Sequence, residues 1–86
     1  MSYKIIIKKN ALKYLLKVPK QEARKISGRI DQLAGNPYPE DSKKLKGSEN
    51  DYRIRIGDYR VIYSLYKQIL TIEVIRIRHR KDVYRK

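Results

Sequence analysis

Arg53, Arg55 and Arg60 stand close together in the stretch DYRIRIGDYRVIY, residues 51–63. A guanidinium is planar, permanently charged and able to grip two phosphoryl oxygens at once. Several of them gathered in one place suit the task of holding the charge that builds on phosphorus during phosphodiester transfer. In RNA that reaction also needs a proton taken from the 2′-hydroxyl and another given to the departing 5′-oxygen. Arginine performs neither, because it does not release its proton. His79, Tyr84, Lys46 and Lys81 remain as candidate proton carriers. His79 is the only histidine, and its ordinary pKa lies near neutrality. The chain has no histidine pair, and its nine Asp and Glu are scattered. Neither an ordinary freestanding ribonuclease site nor a metal site is therefore expected. No cofactor is expected either.

The elements that must position these arginines can be read from the period-2 alternation after residue 50. Residues 51–56, 59–66 and 69–78 read as three strands. Gly57-Asp58 is a two-residue hairpin turn, with glycine supplying a positive φ. Taking that turn as the register pin sets Ile56 against Tyr59, Arg55 against Arg60, Ile54 against Val61, Arg53 against Ile62 and Tyr52 against Tyr63. Tyr52, Ile54, Ile56, Tyr59, Val61 and Tyr63 then share the core face, and Arg53, Arg55 and Arg60 the other. Like charges directly opposed cost up to about 1 kcal/mol, which a purely structural sheet would avoid. Glu73 or a loop carboxylate could cancel the charge; otherwise the cluster points to a polyanion.

The third strand has a parity problem. A tight turn at Lys67-Gln68 would send Arg76 and Arg78 into the core, which is untenable for two charges. A bulge or an end to regular pairing would reverse them, and pairing is expected to fail around 76–78. Further cations flank this region: Lys43, Lys44 and Lys46 in the long polar connection of residues 36–50, and Arg76, Arg80 and Lys81 in the C-terminal RIRHRKDVYRK. All six are candidate contacts to RNA or to a ribonucleoprotein.

Ahead of the hairpin, YKIII at residues 3–7 reads as a strand. Asn10 is a candidate cap for a helix over 11–18, whose Leu12, Leu15 and Leu16 lie on one face. Pro19 ends that helix or opens the next. A second helix runs to about Ala34 and is stopped by GNPYP, with Gly35 suited to a left-handed cap position. Gly28, in mid-helix, suggests close packing against a neighbour. The order is β-α-α-β-β-β: an α+β fold with a helical hairpin packed on one face of a mainly antiparallel, four-stranded sheet.

The whole chain of 86 residues reads as one domain, with a thin core. It has no Cys, which excludes a disulfide scaffold and fits a reducing cytoplasm. No apolar run approaches the ~20 residues of a membrane span, and no signal-peptide pattern opens the chain, so no membrane association is expected. Lys and Arg number 22, giving a net charge of +13. Such self-repulsion is relieved by a nucleic-acid backbone or an acidic protein.

KLKG (44–47), YRIRIGDYRVIY (52–63) and HRKDVY (79–84), in this order, resemble the RelE toxins of the RelE/ParE superfamily, over essentially the whole chain. The resemblance implies the toxin half of a type II toxin–antitoxin pair, acting as a metal-independent endoribonuclease. Such toxins enter the ribosomal A site and cleave the bound mRNA, leaving a cyclic phosphate. The implied partners are the ribosome with its mRNA, an acidic RelB-like antitoxin, and operator DNA bound only by the toxin–antitoxin complex. Arg53 and Arg55 take the places of two strand lysines of the best-known RelE toxins. Arg60 and Arg78 match two further arginines, and Tyr84 a C-terminal tyrosine that stacks on a base. With arginine at both lysine places, the general base is expected at His79, at Tyr84 or on the ribosome. Two alternatives share the fold: a ParE-like inhibitor of DNA gyrase, and a nucleic-acid-binding module without catalysis.

Overall fold

Three isoleucines beside Lys4 start the chain as a strand, and β-branched side chains suit a pleated, half-buried surface. In a computed structural model, which describes residues 2–83, this is β1, Lys4–Ile7. Helices α1 (Lys9–Lys17) and α2 (Lys20–Gln32) follow, with Pro19 at the cap of the second. Strands β2 (Lys43–Lys44), β3 (Asp51–Ile56), β4 (Tyr59–Tyr66) and β5 (Thr71–His79) come next. A short helix α3, Arg80–Val83, closes the described chain. The sheet order is β1-β5-β4-β3-β2, with β1 parallel to β5 and every other pairing antiparallel.

The α+β class, the helical hairpin and the mainly antiparallel sheet agree with the sequence reading, but the sheet has five strands rather than four. The additional strand is β2, inside the polar connection. It pairs Lys43 with Arg53 and Lys44 with Tyr52. Backbone pairing at a sheet edge makes it, with no apolar alternation to announce it. Gly47, at φ 81, turns the chain from β2 back towards β3.

The core lies between the helices and one face of the sheet. Ala11 and Leu15 of α1, and Ile26 and Ile30 of α2, meet Ile54, Val61, Tyr63, Ile72, Val74 and Ile77 of the strands. Burying each large aliphatic side chain contributes about 1.5–3 kcal/mol. The hairpin register agrees with the turn-pinned expectation at every pair from Tyr52↔Tyr63 to Ile56↔Tyr59.

Several local expectations fail. Asn10 lies inside α1, and its side-chain amide donates instead to the Ile75 carbonyl at 3.4 Å. Gly35 is not left-handed; among the described residues only Gly47, Gly57 and Leu70 have positive φ. A Cβ on Gly28 would meet no atom within 4 Å, so close packing does not explain this glycine. The β4–β5 link is no tight turn: a 3₁₀ turn at Lys67–Ile69 leads into Leu70 at φ 48. Pairing does not fail at 76–78. It continues to Tyr59↔His79 through a bulge that leaves Ile75 unpaired, between Tyr63↔Val74 and Ile62↔Arg76.

Candidate phosphate-binding site on the open sheet face

The bulge sets the parity of the last part of β5. Val74 and Ile77 are both fully buried although three residues apart, because the extra residue rotates the strand by half a pleat. Arg76 and Arg78 thereby join the arginines of the hairpin on the face that the helices leave open. The pairing builds two rows of cations across the strands. One row runs Arg55, Arg60, Arg78, and the next runs Lys43, Arg53, Ile62, Arg76. Directly opposed side chains on such rows have Cβ atoms about 4.5–5.5 Å apart. The rows therefore concentrate positive charge within the reach of one phosphate group and its neighbours.

That charge is not neutralised within the described residues. Their ion pairs are Arg29 with Asp41 at 2.7 Å and Arg80 with Asp58 at 3.9 Å. The other carboxylates near the sheet are occupied or distant. Asp51 accepts a hydrogen bond from the buried Ser64 hydroxyl at 2.5 Å. Glu73 makes no ion pair among the described residues. Arg53, like Arg60 and Arg78, is half-buried, while Arg55 and Arg76 are exposed. The Arg53 Nε is buried without a hydrogen-bond partner among the described residues. Burial, and then the charges of Arg55 and Arg60, push its pKa below the usual arginine value.

A depression of about 350 Å³ opens over these side chains, lined by Leu45, Arg53, Arg60, Ile62, Arg76, Arg78 and Asp82. Arg55 and Arg60 also border a neighbouring hollow of about 370 Å³ with Asp58, Tyr59 and Arg80. The apolar floor of Leu45 and Ile62 lowers the local dielectric, which strengthens each guanidinium–phosphate contact. The arrangement is suited to charge stabilisation at phosphorus, with several guanidinium donors gathered on one face.

Two residues at this rim were not singled out for chemistry in the sequence. Asp82 of α3 faces the arginines but is tied elsewhere. Tyr14 of α1 donates its hydroxyl to Asp82 Oδ2 at 2.6 Å, and the His79 backbone N–H reaches Tyr14 Oη at 2.8 Å and Asp82 Oδ2 at 3.2 Å. The Tyr14 hydroxyl, then the His79 amide, hold the Asp82 carboxyl below its usual range. Burial, then the Asp82 carboxylate, push the Tyr14 hydroxyl up. The Arg78 guanidinium lies 5.3 Å from the centre of the Tyr14 ring. Asp82 is thus hydrogen-bonded to Tyr14 and the His79 amide and makes no ion pair with the arginines among the described residues. The two Tyr14 bonds join positions 65 and 68 residues apart, so no local pattern marks them, whereas Asp82 reaching back three residues to the His79 N–H is a local helix-start contact.

The remaining candidates are spread out. His79 is not brought to the arginines: it pairs with Tyr59, its ring edge-on at 5.0 Å, on the helix side. There it borders a hollow with Pro19, Glu22 and Lys25, and its Nδ1 accepts the Lys81 N–H at 3.1 Å. Lys43 is exposed beside Arg53, while Lys44 borders a different hollow at the far end of the sheet. Lys46 is exposed in the loop, and Arg80 and Lys81 are exposed on α3. Tyr84 lies outside the described residues.

Comparison with known proteins accords with this geometry. Residues 5–84 match the family model of the ParE toxin of the type II toxin–antitoxin system parDE. The chain is 35% identical to RelE1, a provisionally assigned toxin of Methanocaldococcus jannaschii, over 99% of this chain and 98% of the relative. It is 34% identical to toxin RelE3 of the same organism, over 94% of each. The fold superposes on the crystal structure of the archaeal RelE–RelB complex from Pyrococcus horikoshii OT3 with a TM-score of 0.84, at 35% identity over 93% of this chain and 97% of that one. Isolated E. coli RelE shares the fold, with a TM-score of 0.80 at 21% identity over 91% of this chain and 84% of that one. With a type II toxin model matched along nearly its whole length, and RelE chains as its full-length relatives, the chain belongs to the RelE toxin family of the RelE/ParE superfamily, the toxins of type II toxin–antitoxin systems.

Proposed function

We propose that this toxin is a ribosome-dependent endoribonuclease that cleaves mRNA in the A site and so stops translation. The observation that carries the reading is the pair of cation rows on the open face, with no carboxylate among the described residues paired to Arg53, Arg55, Arg60, Arg76 or Arg78. The 2′-hydroxyl oxygen attacks the adjacent phosphorus, the bond to the 5′-oxygen breaks, and a 2′,3′-cyclic phosphate remains. Arg53, Arg60 and Arg78 hold the phosphorane oxygens, and Arg55 grips a neighbouring phosphate. Lys43, Lys44, Lys46, Arg76, Arg80 and Lys81 contact RNA and ribosome. Proton transfer falls to Tyr84 and to groups of the ribosome, because His79 stands on the other side of the sheet. No metal takes part in this scheme. The site works on the ribosome because the ribosome aligns the message that these few residues cannot orient alone.

A chain of net charge +13 also calls for an acidic inhibitor in the cytoplasm. The full-length structural relative from Pyrococcus horikoshii was solved as a RelE–RelB complex. The partner assigned here is correspondingly a RelB-like acidic antitoxin, and operator DNA is bound only by the pair.

The matching family model carries the ParE name, which keeps gyrase inhibition as the second reading. Induction of the toxin in cells separates the two. RNA cleavage gives shortened messages and falling protein synthesis with intact DNA. Gyrase inhibition gives an SOS response and gyrase-trapped DNA breaks while messages stay whole, and that result would overturn the proposal.

A further inference from the structure

At the far end of the β3–β4 hairpin, on the helix side, lies a depression of about 610 Å³, larger than the arginine hollow. We propose that it is a second binding site for single-stranded nucleic acid, which takes one nucleotide by stacking its base on tyrosine and pairing its phosphate with lysine. The inference does not rest on the cleavage reaction, since the arginine rows occupy the other face and the turn end of the same hairpin.

Tyr38 and Tyr52 of the lining belong to an aromatic ladder anchored beneath the hollow by Tyr63. Tyr63 is wholly buried, and its hydroxyl donates to the Pro37 carbonyl at 2.8 Å, which ties down the loop after α2. Tyr52 stacks on Tyr63 with centroids 5.9 Å apart and planes at 21°. Tyr38 meets Tyr52 edge-on at 5.4 Å and 75°. Tyr38 remains 41% exposed, so a ring held by packing still offers surface to a ligand, and Tyr66, 38% exposed, lies at the rim. Aromatic side chains of this kind stack any base, because every base has a π-face.

The rim supplies charge and hydrogen bonds. Lys67 Nζ sits 5.2 Å from the centre of the Tyr38 ring, and Lys44 stands across the opening. Asn50 and Gln68 add amides that can meet base edges; Glu49 is the one carboxylate of the lining. The segment carrying Lys67 and Gln68 is costly for the fold. It leaves Ile69 68% exposed and forces Leu70 to φ 48, where a left-handed Leu is strained. A tight turn would have joined β4 to β5 without either. Ring surface beside amides and lysines matches a base with its phosphate, whereas an acidic peptide would be drawn chiefly by the lysines.

The test is a titration of the ¹⁵N-labelled full-length toxin with a short oligouridylate carrying 2′-O-methyl groups throughout, which cannot be cleaved. Backbone amides of Tyr38, Tyr66, Lys67 and Gln68 should shift, and should still shift in Arg53→Ala/Arg60→Ala. The exposed pair Tyr66→Ala/Lys67→Ala should lose those shifts and weaken binding about tenfold, while shifts on the arginine face persist. A titration in which only the arginine face responds overturns the site. So does one in which hexaglutamate, and not the oligonucleotide, moves the pocket amides; that outcome would assign the surface to a peptide.

Discussion

Arg53 carries a buried Nε that meets no acceptor among the described residues, beside two further guanidinium groups. An unsatisfied buried donor costs about 1–3 kcal/mol, and opposed like charges up to about 1 kcal/mol. Arg53→Met keeps most of the stem's packing and removes both penalties. It should raise the stability of the free toxin by about 1 kcal/mol in urea unfolding while abolishing growth arrest. Equal or lower stability would mean that the cluster is not under strain. Tyr63 gives a second residue-level outcome. Burial pushes its hydroxyl up to about 12 from 10.0. Because the folded pKa lies above the unfolded one, its contribution is complete below pH 10.0 and is lost as the pH rises towards about 12. Stability measured against pH should fall across that interval, and the fall should shrink in Tyr63→Phe. That variant should itself be less stable by about 1 kcal/mol at neutral pH, for want of the bond to Pro37.

Among the elements, the β3–β4 hairpin was the most legible in the sequence. Gly57, at φ 58, and Asp58 pin the turn, and strict alternation then fixes every pair. The face shared by Arg53, Arg55 and Arg60 followed directly. The bulge at Ile75 was only partly legible: alternation changes phase at the adjacent apolar pair Val74-Ile75, but that break alone does not tell a bulge from an end to pairing. The faces of Arg76, Arg78 and His79 all depend on that single residue. The β2 strand was hidden for a different reason: two lysines in a polar run become a strand only through the edge of β3. Tyr14 and Asp82 meet only after α1 folds against the end of β5. In α2, the open space around Gly28 gives a prediction at this scale. Gly28→Ala should stabilise the toxin by about 1 kcal/mol, from helix propensity alone. A loss of stability on thermal unfolding would show that the glycine is needed for packing after all.

At the scale of the whole molecule, a charge of +13 on 86 residues opposes the compact state. Salt shortens the reach of that repulsion, to about 10 Å at 0.1 M and less above it. Raising NaCl from about 0.1 to 0.5 M should therefore raise the free toxin's Tm, by roughly 4–8 °C per kcal/mol recovered in a domain this size. An unchanged or lower Tm would indicate that the charges are already balanced within the chain. The same repulsion favours the binding of polyanions. The described fold leaves its cations open to partners, and the open face is where a phosphate chain finds most of them.

The claim that these rows hold the reacting phosphate is tested most directly by single-turnover cleavage on programmed ribosomes, read by primer extension, with wild type set against Arg60→Ala. Wild type should produce a new 3′ end within the A-site codon. Arg60→Ala should bind the same ribosomes and remain folded, yet cut about 10²–10³-fold more slowly. Cleavage by Arg60→Ala at the wild-type rate, or intact message with wild type, would contradict the account.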